Sequence, residues 1–226
     1  MNKEQLKVSR RWFISSSTLC FLAGCGENRL AQTITDAYKL SLDQKGPPIS
    51  RNTVNNLPYA SISAKIGKGP RGFLILWRKE NDNLIWLSAD NATIVTKSGR
   101  ITKTAGLPEE IMNTYHFSAD PISLGLHKKE NLVKFNREID LKLNGKKPKT
   151  IILNSNFISL GPKTIKIVEI EFKTILIKEI CEAKNINWKF ENYYWVDPYD
   201  GIIWKSIQHI AQTFPSITLE TLKPSS

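Results

Sequence analysis

From Tyr59 onward the chain alternates apolar and polar residues with a period of two. Ala60, Ile62, Ala64 and Ile66 fall on one face and Ser61, Ser63 and Lys65 on the other, the pattern of a strand with one side turned to a core. The run "GKGPRG" turns the chain into "FLILWRKE", and "NDN" turns it again into "LIWLSAD". "TIVTKSGRITKT" predicts the clearest hairpin, because Ser98-Gly99 supplies a two-residue turn between arms rich in Thr and β-branched residues. Arms that follow one another through such short turns predict an antiparallel meander.

Before Tyr59 the period is helical. Leu30, Ile34, Ala37, Leu40 and Leu42 recur at helix spacing, so residues 26–44 predict a helix, and the loop "DQKGPPISRNTVNNLP" ends it. Farther on, "GLPEEIMNTYHF" predicts a short helix after Pro108, and "ADPIS" a turn. Between Lys128 and Asp140 charged and apolar residues mix without a clean period, and "LKLNGKKPKT" predicts a long hairpin or loop. Alternation returns after "SLGPKT" in "IKIVEIEFKTILIKEICEA", with a slip of phase near Ile167 and Val168 that predicts a bulge or short break. "NYYWVDPYDGIIWKS" predicts a hairpin turning at Asp197 to Gly201, and "SITLETLKP" a closing strand. No repeat or change of composition divides the chain. The expected fold is one mainly β domain, residues 25–226. It is an antiparallel meander forming a sandwich or partly open barrel, with the N-terminal helix packed on it.

Residues 1–24 obey a different logic. Lys3, Lys7, Arg10 and Arg11 form a positive head, followed by a weakly apolar run from Trp12 to Leu22 that Ser15, Ser16, Ser17 and Thr18 interrupt. That run falls far short of the roughly twenty residues that cross a bilayer, so it predicts a signal peptide rather than an anchor. Leu22-Ala23-Gly24-Cys25 fits a lipobox, which predicts lipidation at Cys25 and removal of residues 1–24. Gly26 stands where an Asp would signal retention at the inner membrane, so the expected place is the periplasmic face of the outer membrane. Ser9-Arg10-Arg11-Trp12-Phe13-Ile14 also matches the twin-arginine pattern, and a general secretory signal with two arginines reads equally well.

Charge and cysteine count sharpen this picture. The chain carries a net charge of +11. Removing four cations and Glu4 with the signal lowers this by three, to about +8. Such a surface suits acidic phospholipid or anionic polysaccharide, and export excludes nucleic acid as the usual partner. With Cys20 removed and Cys25 acylated, Cys181 has no disulfide partner and reads as a small buried hydrophobe.

Candidate chemistry is sparse. His116, His127 and His209 lie far apart and show no metal-ligand spacing, so neither a metal nor a cofactor is expected. Asp197 and Asp200 are the one candidate carboxylate pair, but aspartates in a turn usually bond their own backbone. The aromatics carry more weight. Most of the Trp and Tyr side chains read as core, and Trp195, Tyr199 and Trp204 around the last hairpin are the candidate glycan-binding group, since indole faces stack on sugar rings.

"LPYASISAKIGKGPRGFLILW", "IWLSADNATIVTKSGRITKTAGLP", "DPIS" and "NYYWVDPYDGIIWKSIQHI…TLKP" together resemble the YjbF/GfcB family, the group 4 capsule polysaccharide lipoproteins of Gram-negative bacteria. The resemblance is most specific at Trp86-Leu87-Ser88, Gly99-Arg100, Tyr194-Trp195-Val196-Asp197 and Leu222-Lys223-Pro224. It implies a lipid-anchored outer-membrane protein of capsule or exopolysaccharide secretion, and it supplies no catalytic residues. The expected role is a non-enzymatic accessory factor that binds glycan or a neighbouring secretion protein. A carrier of lipid or lipoprotein with an apolar cavity is the alternative, followed by a polysaccharide-modifying enzyme.

Overall fold

The computed structural model describes residues 49–116, 120–125, 133–143 and 146–225. The expected signal peptide with Arg10 and Arg11, the expected lipidation site Cys25, His127 and the helix expected over residues 26–44 lie outside them. One short helix, α1 (Arg51–Asn56), precedes twelve strands. These are β1 (Ser61–Ile66), β2 (Arg71–Glu80), β3 (Asn83–Ser88), β4 (Thr93–Lys97), β5 (Arg100–Ala105) and β6 (Glu110–His116). Then follow β7 (Val133–Lys142), β8 (Lys149–Ile167), β9 (Ile170–Ala183), β10 (Trp188–Val196), β11 (Ile203–Gln208) and β12 (Ile217–Lys223).

All ladders are antiparallel, and they form one sheet in the order β5-β4-β3-β2-β1-β12-β11-β10-β9-β8-β7-β6. Every strand therefore pairs with its neighbours in sequence except β5 with β6, and β1 also pairs with β12. This is the order of an up-and-down barrel interrupted at one place, between β5 and β6. Side chains bridge that gap. Thr104 Oγ1 accepts from the Ile111 amide at 3.0 Å and Thr114 Oγ1 donates to the Thr102 carbonyl at 2.7 Å, while Gln208 Oε1 on β11 accepts from the Ile101 amide of β5 at 2.9 Å across the interior. The sheet is thus a nearly closed barrel, the second of the two forms expected from the alternation.

Several elements differ from the sequence pattern. The segment after Pro108 is the strand β6 and not a helix: Ile111 points into the core while Met112 and Tyr115 stay exposed, and its backbone pairs with β7. Propensity yields there to a ladder partner. The stretch without a clean period is β7, whose inward residues are Phe135, Arg137, Ile139 and Leu141. An arginine at an inward position had hidden the period of two. Strand β8 begins at Lys149, before the segment where alternation was expected. The phase slip at Ile167 and Val168 is a tight hairpin turn, with Val168 and Glu169 at φ 40 and 72. Helix α1 lies in the expected loop, capped by Ser50 Oγ, which accepts from the Thr53 amide at 3.2 Å.

Strands β8 and β9 overrun the barrel, and their tip packs outside it. Phe172 stacks on Trp204 with ring centres 4.0 Å apart, while Val54 of α1 meets Phe73, Ile75, Ile167 and Leu222 in a second small core. Arg51 fastens this assembly by donating to the carbonyls of Val168, Ile167 and Leu222 at 3.2, 2.9 and 2.8 Å. Chain direction places the hairpin tip, the β10–β11 turn, the Ser98-Gly99 turn and Ile49 at one end of the barrel, its mouth.

Gly99 links two of these turns. Its φ is +78, and a Cβ there would stand 2.3 Å from Ile203 Cγ1. Gly99→Ala is expected to lower unfolding free energy by about 2 kcal/mol or more, from backbone strain and overpacking together. Urea titration checks this, and adding Ile203→Ala should recover only part of the loss, because the backbone strain remains.

Candidate functional site

The barrel interior is crossed by charge. Inward positions on neighbouring strands carry Arg137 on β7, Glu179 on β9, Asn192 and Tyr194 on β10 and Gln208 on β11, with Arg100 reaching in from the start of β5. Glu179 has no exposed surface. Its carboxylate accepts from Arg100 at 2.9 and 3.1 Å, from Arg137 at 2.6 Å, from Asn192 Nδ2 at 2.9 Å and from the Tyr194 hydroxyl at 3.0 Å. Rings of Phe135, Phe157 and Tyr194 surround the Arg100 guanidinium, with centres 5.5, 5.9 and 5.5 Å from Cζ. Gln208 ties the group to the backbone, donating to the Gly99 carbonyl at 2.8 Å.

Burial alone would raise the Glu179 pKa, but the two guanidinium groups outweigh it and hold the carboxyl far below its ordinary range. For Arg100 burial acts in the lowering direction, and Asp120 and Glu179 together overcome it and raise the pKa. Cys181 borders this network: its sulfur lies 3.5 Å from Ser155 Oγ and 3.8 Å from Arg137. Burial, followed by the Glu179 charge, pushes the thiol up to about 12. It is a buried thiol, as its alternating strand suggested.

The "ADPIS" turn forms as expected and roofs part of the mouth. Asp120 bonds Arg100 through its carboxylate and accepts from the Ile122 amide at 3.0 Å. Ile122 inserts against Phe135, Phe157, Ile177, Tyr194 and Val196. Beside this roof a cavity of about 530 Å³ opens at the mouth. Its polar wall holds Thr96, Ser98, Asp200, Ser206 and Thr221, and its apolar wall Ile62, Leu84, Trp86, Ile203 and Leu219. A second cavity of about 460 Å³, more apolar, lies at the opposite end between the β1–β2 and β3–β4 turns.

The aromatic trio expected to bind glycan is spread over the outside of the last hairpin. Tyr199 is 87% exposed at the turn. Trp195 is half-buried beneath Lys205, whose Nζ lies 5.6 Å from the ring centre. Trp204 is engaged in the second core, stacked on Phe172, and its indole donates to Asp197 Oδ2 at 3.0 Å. Asp197 Oδ1 accepts from the Tyr199 amide, and Asp200 Oδ1 from the Ile202 amide, each at 2.9 Å. Both carboxylates thus shape the turn, as turn aspartates commonly do. His116 stacks on Phe135 and His209 lies against Phe190, far apart in the barrel. Among the described residues no His, Cys, Asp and Glu side chains gather as a metal site.

The charged interior was not among the expected site residues. Its signal was present in Phe135-x-Arg137-x-Ile139 and Ile177-x-Glu179-x-Cys181, where a charge occupies an inward position. Two of its members, Arg100 and Tyr194, lie in the most specific stretches of the family resemblance.

Fold and site together define a filled up-and-down β-barrel, braced inside by an ion network and open to a small cavity at one end. The chain belongs to the family described as group 4 capsule polysaccharide lipoprotein gfcB, YjbF, whose model matches residues 30–222. It is 27% identical over 216 residues to the uncharacterized lipoprotein GfcB of Escherichia coli K12, covering 95% of this chain and 99% of that one. To the uncharacterized lipoprotein YjbF of the same organism it is 27% identical over 179 residues, 75% and 78% of the two chains. The crystal structure of the hypothetical lipoprotein YmcC from Escherichia coli K12 has the same fold. The TM-score is 0.74 at 24% identity, over 84% of this chain and 96% of that one.

Two outcomes follow from the network. Glu179→Gln leaves two buried guanidinium groups short of a counter-charge and should cost about 3–5 kcal/mol. Because the folded pKa is depressed, the Glu179 contribution is complete above the unfolded value of 4.5. It is lost as pH falls below that value, and the variant should show a flatter acid limb in unfolding measured from pH 7 to 3. In a Cys20→Ser/Cys25→Ser chain, Cys181 should resist a disulfide thiol reagent at pH 8 and react fully in guanidinium chloride, so that labelling reports unfolding.

Proposed function

We propose that this protein is a non-enzymatic accessory lipoprotein of capsule or exopolysaccharide secretion. Acyl chains on Cys25 hold it at the periplasmic face of the outer membrane, where the barrel binds glycan or a neighbouring secretion protein. The family match across residues 30–222 carries this reading, since it spans the barrel itself. Physical arguments agree with it. Acyl chains contribute about 0.8 kcal/mol per buried methylene, and two or three on one residue hold a domain stably at a membrane. No helix among the described residues is long and apolar enough to cross a bilayer.

The chemistry of the interior supports a binding role over an enzymatic one. Glu179 is locked between two cations and sealed from solvent, and Asp197 and Asp200 hold a turn. An acid or base needs a group free to exchange its proton near a substrate. A lipid carrier needs a continuous apolar cavity, and the Arg100–Glu179–Arg137 network divides the described interior instead.

Deletion of the gene should abolish or sharply reduce surface polysaccharide, and a Cys25→Ser allele should move the protein from the outer-membrane fraction to the soluble fraction with a similar loss of polymer. Normal polymer in the deletion strain overturns the reading.

A further inference from the structure

We infer that the mouth cavity is a binding site for an uncharged glycosyl unit, entered beside the Asp120–Gly125 roof and distinct from the aromatic trio on the outer hairpin. The inference rests on the glycan-binding form of the reading above and gives it a place and a ligand chemistry.

Size comes first. A cavity of about 530 Å³ lies within the roughly 300–1,000 Å³ of small-molecule sites, which admits the end of a glycan or a short oligosaccharide. Lining chemistry then selects the ligand. Among the described residues the wall holds one ionisable group, the Asp200 carboxylate, and no cation. A uronate or phosphate entering here would lose its hydration without a counter-charge and would meet Asp200, so charge opposes it. An acyl chain would cover the apolar wall but would dehydrate the Thr96 and Ser206 hydroxyls and the second Asp200 carboxylate oxygen while offering them no hydrogen bond.

A neutral sugar ring satisfies both walls. Its C–H faces match Leu84, Ile203, Leu219 and the edge of Trp86, and its hydroxyls match a set of groups already oriented by one bond each. Thr96 Oγ1 accepts from the Trp86 indole at 2.8 Å and retains its own proton to donate. Ser206 Oγ accepts from Gln208 Nε2 at 2.9 Å and likewise retains a donor. Thr221 Oγ1 donates to the Ile203 carbonyl at 2.8 Å and keeps lone pairs to accept. Asp200 uses Oδ1 for the Ile202 amide, which leaves Oδ2 to accept. Donors and acceptors held in place in this way suit a ligand that offers both at every carbon. The floor is braced as well, because Gln208 binds Ser206 and Gly99 on the cavity side and the Tyr194 hydroxyl on the network side.

The test uses the full lipidated chain in detergent micelles, with ligand-observed NMR and calorimetry. Lactose, N,N′-diacetylchitobiose and maltotriose are the neutral probes, digalacturonate the acidic probe and dodecanoate the acyl probe. At least one neutral probe should bind more tightly than the other two classes. Thr221→Trp fills the cavity and should weaken that binding at least tenfold, whereas Tyr199→Ala on the outer turn should leave it within twofold. Should Thr221→Trp fail to fold, Ser123→Trp in the exposed part of the roof serves the same purpose, with an unchanged unfolding midpoint as its control. Binding of digalacturonate or dodecanoate in preference overturns the inference. So does undiminished neutral binding in a folded, filled variant, loss of binding in Tyr199→Ala alone, or no binding by any probe. The accessory reading is judged separately by the deletion strain. If polymer is lost on deletion but normal in the Thr221→Trp strain, and no sugar binds, the cavity assignment falls while the accessory role stands.

Discussion

Glu179 sits with no exposed surface between the guanidinium groups of Arg100 and Arg137, and the geometry around it fixes much of the barrel. A buried carboxylate is tolerable only when its charge is matched and its lone pairs are filled, which demands several partners at set distances. Those partners come from β5, β7 and β10, while Glu179 itself is on β9. The requirement therefore correlates β5, at one end of the linear sheet order, with β7, next to the other end, across the gap that no ladder closes. The side-chain bridges at Thr104 and Thr114 then complete what the ion network positions.

The same constraint organises the mouth. Arg100 binds Glu179 with one edge of its guanidinium and Asp120 with the other, so the core network and the roof share one side chain. Ile122 follows Asp120 inward and plugs the upper core beside Tyr194. What remains open lies next to this plug, bounded by residues from the β4–β5 and β10–β11 turns and the last strand. Gln208 spans both regions, so the polarity of the cavity floor is continuous with the network beneath it.

The outer face follows a second principle. A barrel of this size leaves the outer sides of β1, β2 and β12 to be covered, and the chain covers part of them with α1 and the overrunning β8–β9 hairpin. Arg51 bonds three carbonyls from two elements there. Trp204 belongs to this packing through Phe172, which explains why an aromatic flagged for sugar stacking is half-buried instead. Since Ile49 packs in the same cluster, the described chain begins at the mouth end of the barrel.

The sequence by itself determined the alternation, the tight turns and therefore the antiparallel meander, because strand periodicity and turn chemistry act between residues close in the chain. Ser98-Gly99, "NDN" and Asp197 to Gly201 stand in the structure where those local rules put them. It also determined the burial of Cys181, since its alternating strand has one face turned to the core. Three things were decided by tertiary structure alone. One was the choice of barrel over sandwich, which depends on β1 meeting β12 across most of the chain. Another was the strand identity of the segment after Pro108, whose ladder partner lies more than twenty residues away. The last was the meaning of Arg137 and Glu179. As letters, they merely disturb an alternating pattern. Only when distant strands close around them do they become an ion network, because electrostatic matching depends on distance in space and not on separation along the chain.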